Sequence, residues 1–267
     1  MKIGIVGLGF VGGAIKVGFE ETNEYTSLVL VDNDPKRGTN LFEDLADTDG
    51  VFVCVPTPQD DDGTCHTDIL ENILSMLKAL DYRGVIISKC TAPPDTYTKL
   101  NDLYPNLVHA PEFLTAANAV HDYMNGTFAI IGGKVKAYKD LAEKIIRISQ
   151  PNIDKVLQCS IGEASLAKYT INCFMSTKVI FMNEMYKVAQ ASGCDYRAIV
   201  HGAMLDPRIG KSHMWVPGPD GLFGFGGACF PKDTSALLKY AESVGVSMNV
   251  LDAAVKENTL LRLTDPK

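Results

Sequence analysis

The stretch GFGGACFPKD, Gly224 to Asp233, sets one cysteine in a glycine-rich loop and follows it with Pro-Lys-Asp. A thiol at a helix start, beside the cation of Lys232, is in a setting that lowers a thiol pKa, which makes Cys229 a candidate nucleophile. The same residues also read as a tight turn whose cysteine packs as a small hydrophobe. A second set of residues points to a phosphate-bearing ligand. Gly7, Gly9 and Gly12 form G-x-G-x-x-G between a short apolar run, Ile3 to Val6, and a helical stretch. In that pattern the first glycine permits the turn, the second admits a pyrophosphate and the third lets the helix lie close on the strand. Phosphate charge then faces the helix N-terminus. Asp32 ends the next apolar run, SLVLVD, twenty residues past Gly12. A carboxylate there bonds ribose hydroxyls and repels a 2′-phosphate, so the expected cofactor is NAD rather than NADP.

These groups need elements to hold them. Apolar runs recur at α/β spacing: GVFVCVPTP at 50–58, GVIISKCTAPP at 84–94, LVHAPEF at 107–113 and FAIIGG at 128–133. Helical segments lie between, as in DILENILSMLKAL, where Ile69, Ile73, Met76, Leu77 and Leu80 share a face. Thr57-Pro58, Thr91 and Glu112 fall at strand ends, which point toward the ligand crevice outside the carboxyl edge of a parallel sheet. Asp60, Asp61 and Asp62 with Gly63 read as a solvated loop rather than a metal site. From about Ile161 the period turns helical, through SLAKYTINCFMSTKVIFMNEMYKVAQASG, with Gly193 as its stop. Ile171, Phe174, Met175, Val179, Ile180, Phe181, Met182 and Met185 make this helix apolar almost all round. It is therefore expected to be covered by its own domain and by a second subunit. Lys168 and Asn172 point the same way from it, at i and i+4; such a lysine either snorkels to water or joins a site. Asp195 and Asp233 each stand where a helix N-cap would. His66, His109, His121, His201 and His213 show no metal spacing and read as structural or surface residues.

The fold class that follows is α/β: a Rossmann-type doubly wound sheet over residues 1–160, then an all-α central and dimerisation domain over 161–267. The 267 residues carry a net charge of −7 and no basic run, which argues against nucleic acid as a partner. No apolar stretch is long enough for a membrane span, and the glycines in the first twenty residues argue against a signal peptide. The seven cysteines are odd in number and include no C-x-x-C, so neither a disulfide framework nor a structural zinc is expected. Reduced thiols suit a cytoplasmic protein.

Taken in order, GLGFVG, VPTP, KCTAPP, APEFL, AKYTIN, DPRIG and GFGGACFPKD resemble the UDP-glucose/GDP-mannose dehydrogenase family over nearly the whole chain. The cysteine motif is the specific one; the glycine fingerprint is not. The resemblance implies a double oxidation of a sugar CH₂OH to a carboxylate with two NAD molecules, UDP-glucose being the expected substrate. By matching position, Cys229 traps the aldehyde, Lys168 and Asn172 steady the developing oxyanion, Asp233 positions a water or accepts a proton, and Glu112 assists thioester hydrolysis, with Thr91 at the same crevice. It also implies cofactor contacts at Gly7, Gly9, Phe10, Val11, Gly12, Asp32, Pro56, Thr57, Thr91 and Lys232. Substrate contacts are implied at Glu112, Phe113, Leu114, Lys168, Asn172 and the 223–227 loop of Phe223, Gly224, Phe225, Gly226 and Gly227. Arg208 of DPRIG is expected to reach the partner subunit's substrate in a homodimer. The same motifs leave room for GDP-mannose or a UDP-N-acetylhexosamine as substrate, and for a catalytically silent NAD-binding dimer module. Two departures stand out. Ala116 occupies the place of a second glutamate, which puts the auxiliary acid–base arrangement in doubt. Family members also continue past the helix matching NVLDAAVKENTLLR into a nucleotide-sugar-binding domain, whereas this sequence ends at Lys267, so weakened sugar-nucleotide binding is expected.

Overall fold

The computed structural model describes residues 1–264. Two units make up the chain: Met1–Pro58 with Cys65–Lys168, and Gln59–Thr64 with everything from residue 169 onward. The first unit holds seven strands, β1 (Lys2–Val6), β2 (Ser27–Val31), β3 (Gly50–Val53), β4 (Val85–Ser88), β5 (Leu107–His109), β6 (Phe128–Gly132) and β7 (Lys155–Cys159), in one sheet of order β2-β1-β3-β4-β5-β6-β7. All neighbours are parallel except β5 and β6, which pair antiparallel at His109 and Gly132. Every residue of β3, β4 and β5 is buried, as expected for β-branched runs covered by helices on both faces. One face carries α1 (Phe10–Thr22), α4 (Ala119–Met124) and α5 (Lys136–Ser149), packed through Ile15, Phe19, Ala142, Ile145 and Ile146. The other carries α2 (Asp68–Ala79) and α3 (Pro94–Leu103), through Leu70, Leu74, Leu77, Tyr97 and Leu100.

Three local expectations are corrected here. The buried stripe of α2 is Leu70, Leu74 and Leu77, whereas Ile69 and Met76 are each 38% exposed. Two apolar stripes run side by side on this helix, and packing on the sheet selects between them. The third strand ends at Val53 and the fifth at His109, short of the apolar runs that contain them. Pro56, Pro58 and Pro111 have no N–H to continue a ladder.

The second unit is helical. It contains the rest of α6 (Ile161–Ala191), α7 (Tyr196–Ala203), α8 (Phe230–Ser243) and α9 (Asn249–Thr264). Gly193, at φ +65°, follows the end of α6. Asp195 caps α7, its carboxylate accepting the Arg197 N–H at 2.9 Å. The irregular segment between α7 and α8 is tied down by side chains: Tyr196 donates its hydroxyl to the carbonyls of Met182 and Met214, and Lys178 donates to those of Ile209, Gly210 and Ser212. The 59–64 loop belongs with this unit through Ser235, whose hydroxyl donates to the Gly63 carbonyl at 3.0 Å.

Candidate functional site

At the carboxyl end of β1 the three fingerprint glycines are distinguished by their surroundings. Gly7 has φ +86°, and a Cβ on Gly12 would lie 1.9 Å from the Gly7 carbonyl oxygen, so the helix sits closer to the turn than any side chain allows. A Cβ on Gly9 would meet nothing within 4 Å. Gly9 is also the N-cap of α1, with no side chain capping the helix, the arrangement in which first-turn N–H groups take an anion. Phe10 and Val11 begin the helix, Phe10 being exposed. Asp32 faces this loop, its carboxylate accepting the N–H groups of Leu8 and Asp34. A cleft of about 590 Å³ lies between Gly9, Phe10 and Gly13 on one side and Ala116–His121 on the other. These residues fit a dinucleotide. Gly9→Val is expected to fold normally, because its side chain enters empty space, while NAD affinity falls at least about tenfold as that space is filled. Calorimetry checks this; unchanged affinity would show that no ligand approaches Gly9.

Further along the same edge, Thr57 donates its hydroxyl to the Thr91 carbonyl at 2.7 Å, and Cys65 Sγ lies 3.3 Å from that oxygen. Pro56 is exposed beside them. Beyond β5 stands a buried ion pair. Lys168 Nζ donates to Glu112 Oε1 at 3.0 Å and to the Glu112 carbonyl at 2.6 Å. The Leu114 N–H reaches Glu112 Oε2 at 2.9 Å. The Lys168 ammonium also stands 5.4 Å from the centroid of the Phe113 ring, a cation–π distance. Lys168 does not snorkel; it is 3% exposed.

In the second unit Cys229 is the N-cap residue of α8, again with no side-chain cap, and Pro231 occupies the first turn, where a missing N–H is harmless. Asp233 is therefore not the N-cap that its position suggested. It lies one turn inside the helix, 1% exposed. Its carboxylate accepts Asn172 Nδ2 at 2.6 Å on one oxygen and Lys232 Nζ at 2.6 Å on the other. The Lys232 cation is thus engaged by Asp233.

The glycine-rich loop before Cys229 has a backbone reason for its composition: Gly224 and Gly227 have φ of +71° and +76°, and a Cβ on Gly226 would lie 2.7 Å from Arg262. Three side chains that sequence reasoning passed over hold this loop. Asn183 accepts the Gly224 N–H, Asn258 accepts the Phe225 N–H, and Arg262 donates to the carbonyls of Gly224 and Phe225. Their only sequence signal is a polar residue on a helix beside apolar neighbours. Phe225 is buried and Phe223 packs on Tyr186. Arg208 is exposed, its guanidinium forked onto Asp206.

The structure thus brings together Glu112 with Lys168 in the first unit, and Asn172, Lys232 and Asp233 in the second. Among the described residues no helix is long and apolar enough to cross a membrane, and no group of His, Cys, Asp or Glu is arranged to hold a metal ion.

Comparison with known proteins follows this division. The NAD binding domain of the UDP-glucose/GDP-mannose dehydrogenase family matches residues 36–150, and the central domain of the same family matches residues 162–260. UDP-glucose 6-dehydrogenase YwqF of Bacillus subtilis is 26% identical over 297 residues, covering 97% of this chain and 66% of that protein. UDP-glucose 6-dehydrogenase of Rickettsia bellii is 31% identical over 223 residues, covering 81% of this chain and 50% of its own length. The chain thus spans between half and two thirds of these relatives. Among solved structures, a UDP-glucose dehydrogenase from Pyrobaculum islandicum superposes with a TM-score of 0.82 at 25% identity, over 97% of this chain and 68% of that one. A Mycobacterium tuberculosis 3-hydroxyisobutyrate dehydrogenase shares the fold, with a TM-score of 0.76 at 16% identity over 98% of this chain and 94% of that one.

Proposed function

Because the chain belongs to the UDP-glucose/GDP-mannose dehydrogenase family, we propose that it oxidises UDP-glucose to UDP-glucuronate in two NAD-dependent steps. The observation that carries this reading is Cys229 at the uncapped start of α8, one turn from the buried Asp233, which holds the buried Asn172 and the half-buried Lys232. A nicotinamide cofactor, when bound, accepts one hydride in each step, two molecules being used in turn; the glycine loop and Asp32 would hold it. Loss of a hydride and a proton from the sugar CH₂OH leaves an aldehyde, which the Cys229 sulfur attacks to form a thiohemiacetal. Loss of a second hydride and proton leaves a thioester, and water displaces the Cys229 thiol to release the carboxylate. Lys168 and Asn172 donate to the oxygen on which charge develops. Asp233 takes up a proton, and Glu112 assists the attacking water. In this reading the NAD-binding part is residues 1–160 and the thiol-bearing part residues 161–267.

Product formation from a panel of nucleotide sugars with NAD, read by mass spectrometry, tests the proposal. UDP-glucuronate is the expected product. Acid from GDP-mannose or a UDP-N-acetylhexosamine alone would change the substrate and keep the chemistry, and no acid from any member would leave a silent NAD-binding module.

Two further outcomes follow. NAD is expected to bind at least about tenfold more tightly than NADP, because Asp32 repels the 2′-phosphate. Asp32→Asn, which keeps an acceptor for the Leu8 N–H, should narrow that gap, and equal binding of the two cofactors by the wild type would remove the assignment. Homodimerisation through α6 is proposed from Phe174, Phe181 and Val188, which are 62%, 57% and 55% exposed and recur every seven residues on one face. Light scattering at micromolar concentration should give a dimer mass for the wild type and a monomer for Phe181→Glu; a monomeric wild type refutes it.

A further inference from the structure

The first unit buries a cation that the proposed chemistry does not use. Lys89, immediately after β4, is 7% exposed. Its backbone N–H bonds the Val53 carbonyl, but among the described residues nothing pairs with its ammonium. It lines a cavity of about 70 Å³ together with Glu112, Phe113, Leu114, Tyr123 and Gln150. The charge around it does not balance. The Glu112 carboxylate is already engaged by Lys168 and the Leu114 N–H. Burial pushes the neighbouring Cys54 thiol far above its ordinary pKa, so it stays neutral. Asp122 also lines the cavity, its carboxylate accepting the backbone N–H and the hydroxyl of Thr115, but the carboxylate whose charge acts on Lys89 is that of Glu112. Two ammonium groups, on Lys89 and Lys168, therefore share one carboxylate inside the protein. A buried charge without a partner is strongly unfavourable. Burial lowers the Lys89 pKa to about 8, which leaves the amine mostly protonated at neutral pH.

We propose that this cavity is a binding site for a small monovalent anion, a halide or a carboxylate of formate size, held by the Lys89 ammonium. The volume is several times the roughly 10–15 Å³ of cavity that one water needs, enough for such an ion. The Gln150 amide, which donates to the Tyr123 carbonyl at 2.9 Å, supplies a second polar group in the wall. The anion would neutralise the excess positive charge and leave Lys168 undivided on Glu112.

The test needs no turnover, so its result is independent of the reaction proposed above. Sodium bromide or sodium formate is titrated into the protein at constant ionic strength, with isethionate as the bulky balancing anion, and the thermal midpoint is followed. The wild type should gain about 3 °C at tenfold excess over half-saturation, saturably and with either ion. Lys89→Met, which keeps the length and removes the charge, should show no saturable gain, and Lys89→Arg should keep part of it. Independently of any variant, wild-type crystals soaked in bromide should show an anomalous peak in the cavity within hydrogen-bonding distance of Lys89 Nζ. A cavity without bromide, or the same midpoint response in Lys89→Met as in the wild type, overturns the proposal.

Discussion

Cys229→Ser is expected to lower acid formation by at least about a thousandfold, the scale of loss when a covalent nucleophile is removed, with NAD affinity unchanged. The substitution replaces one atom. Serine is moreover a preferred N-cap residue, and Cys229 gives α8 no side-chain cap, so the variant should fold at least as well as the wild type. What it loses is chemical. A hydroxyl ionises far less readily than a thiol, and the helix N-terminus cannot close that gap, so the aldehyde is not trapped and the second hydride transfer has no thiohemiacetal to act on. Some aldehyde-level oxidation should remain detectable with a carbonyl-trapping reagent. A serine variant that makes the acid within tenfold of the wild-type rate would remove the covalent route and with it the reason for a cysteine at this position.

The largest expected change in stability is that of Lys168→Met. Removing one partner of a buried ion pair strands the other charge, at a cost of about 3–5 kcal/mol. Here Glu112 keeps the Leu114 N–H on its carboxylate but loses its bonded ammonium. Glu112→Gln should be milder, because the neutral amide still accepts from the lysine. The double variant should be more stable than Lys168→Met alone, since no unpaired carboxylate remains. Urea unfolding followed by circular dichroism measures all three, and the coupling in the cycle should exceed about 1 kcal/mol. A loss below about 1 kcal/mol in Lys168→Met, or no coupling, would mean that the pair is solvated or re-paired in solution. Lys89 is the group placed to re-pair it, so adding Lys89→Met to Lys168→Met should deepen the loss.

Several features are legible in the sequence because they depend on neighbours along the chain. Gly7 and Gly12 mark a turn and a close helix approach through the absence of a Cβ. Asp195 reads as a cap because its carboxylate need only reach two residues ahead. The run from Ile161 reads as one helix because its apolar residues continue at helical spacing without a break until Gly193. The alternation of apolar runs and helical segments was enough to place a doubly wound sheet before a helical part.

Tertiary structure decided the rest. Which stripe of α2 is buried depends on the sheet beneath it, and the sequence offers Ile69 and Met76 on the same terms as Leu70 and Leu74. The reversal of β6 against β5 leaves no local mark. Glu112 and Lys168 are 56 residues apart, and Asn172 and Asp233 are 61 apart. Resemblance named all four, but no spacing rule pairs them, and none indicates that Lys232 engages Asp233 or that Asn183, Asn258 and Arg262 pin the glycine loop. Lys89 carries no local signal for the same reason. In sequence it is one lysine after a strand, and only the folded chain removes water from its ammonium while giving the nearest carboxylate to another lysine. Backbone dihedrals and local hydrogen bonds are set within a few residues, whereas a buried charge takes its meaning from whichever distant groups the core brings against it.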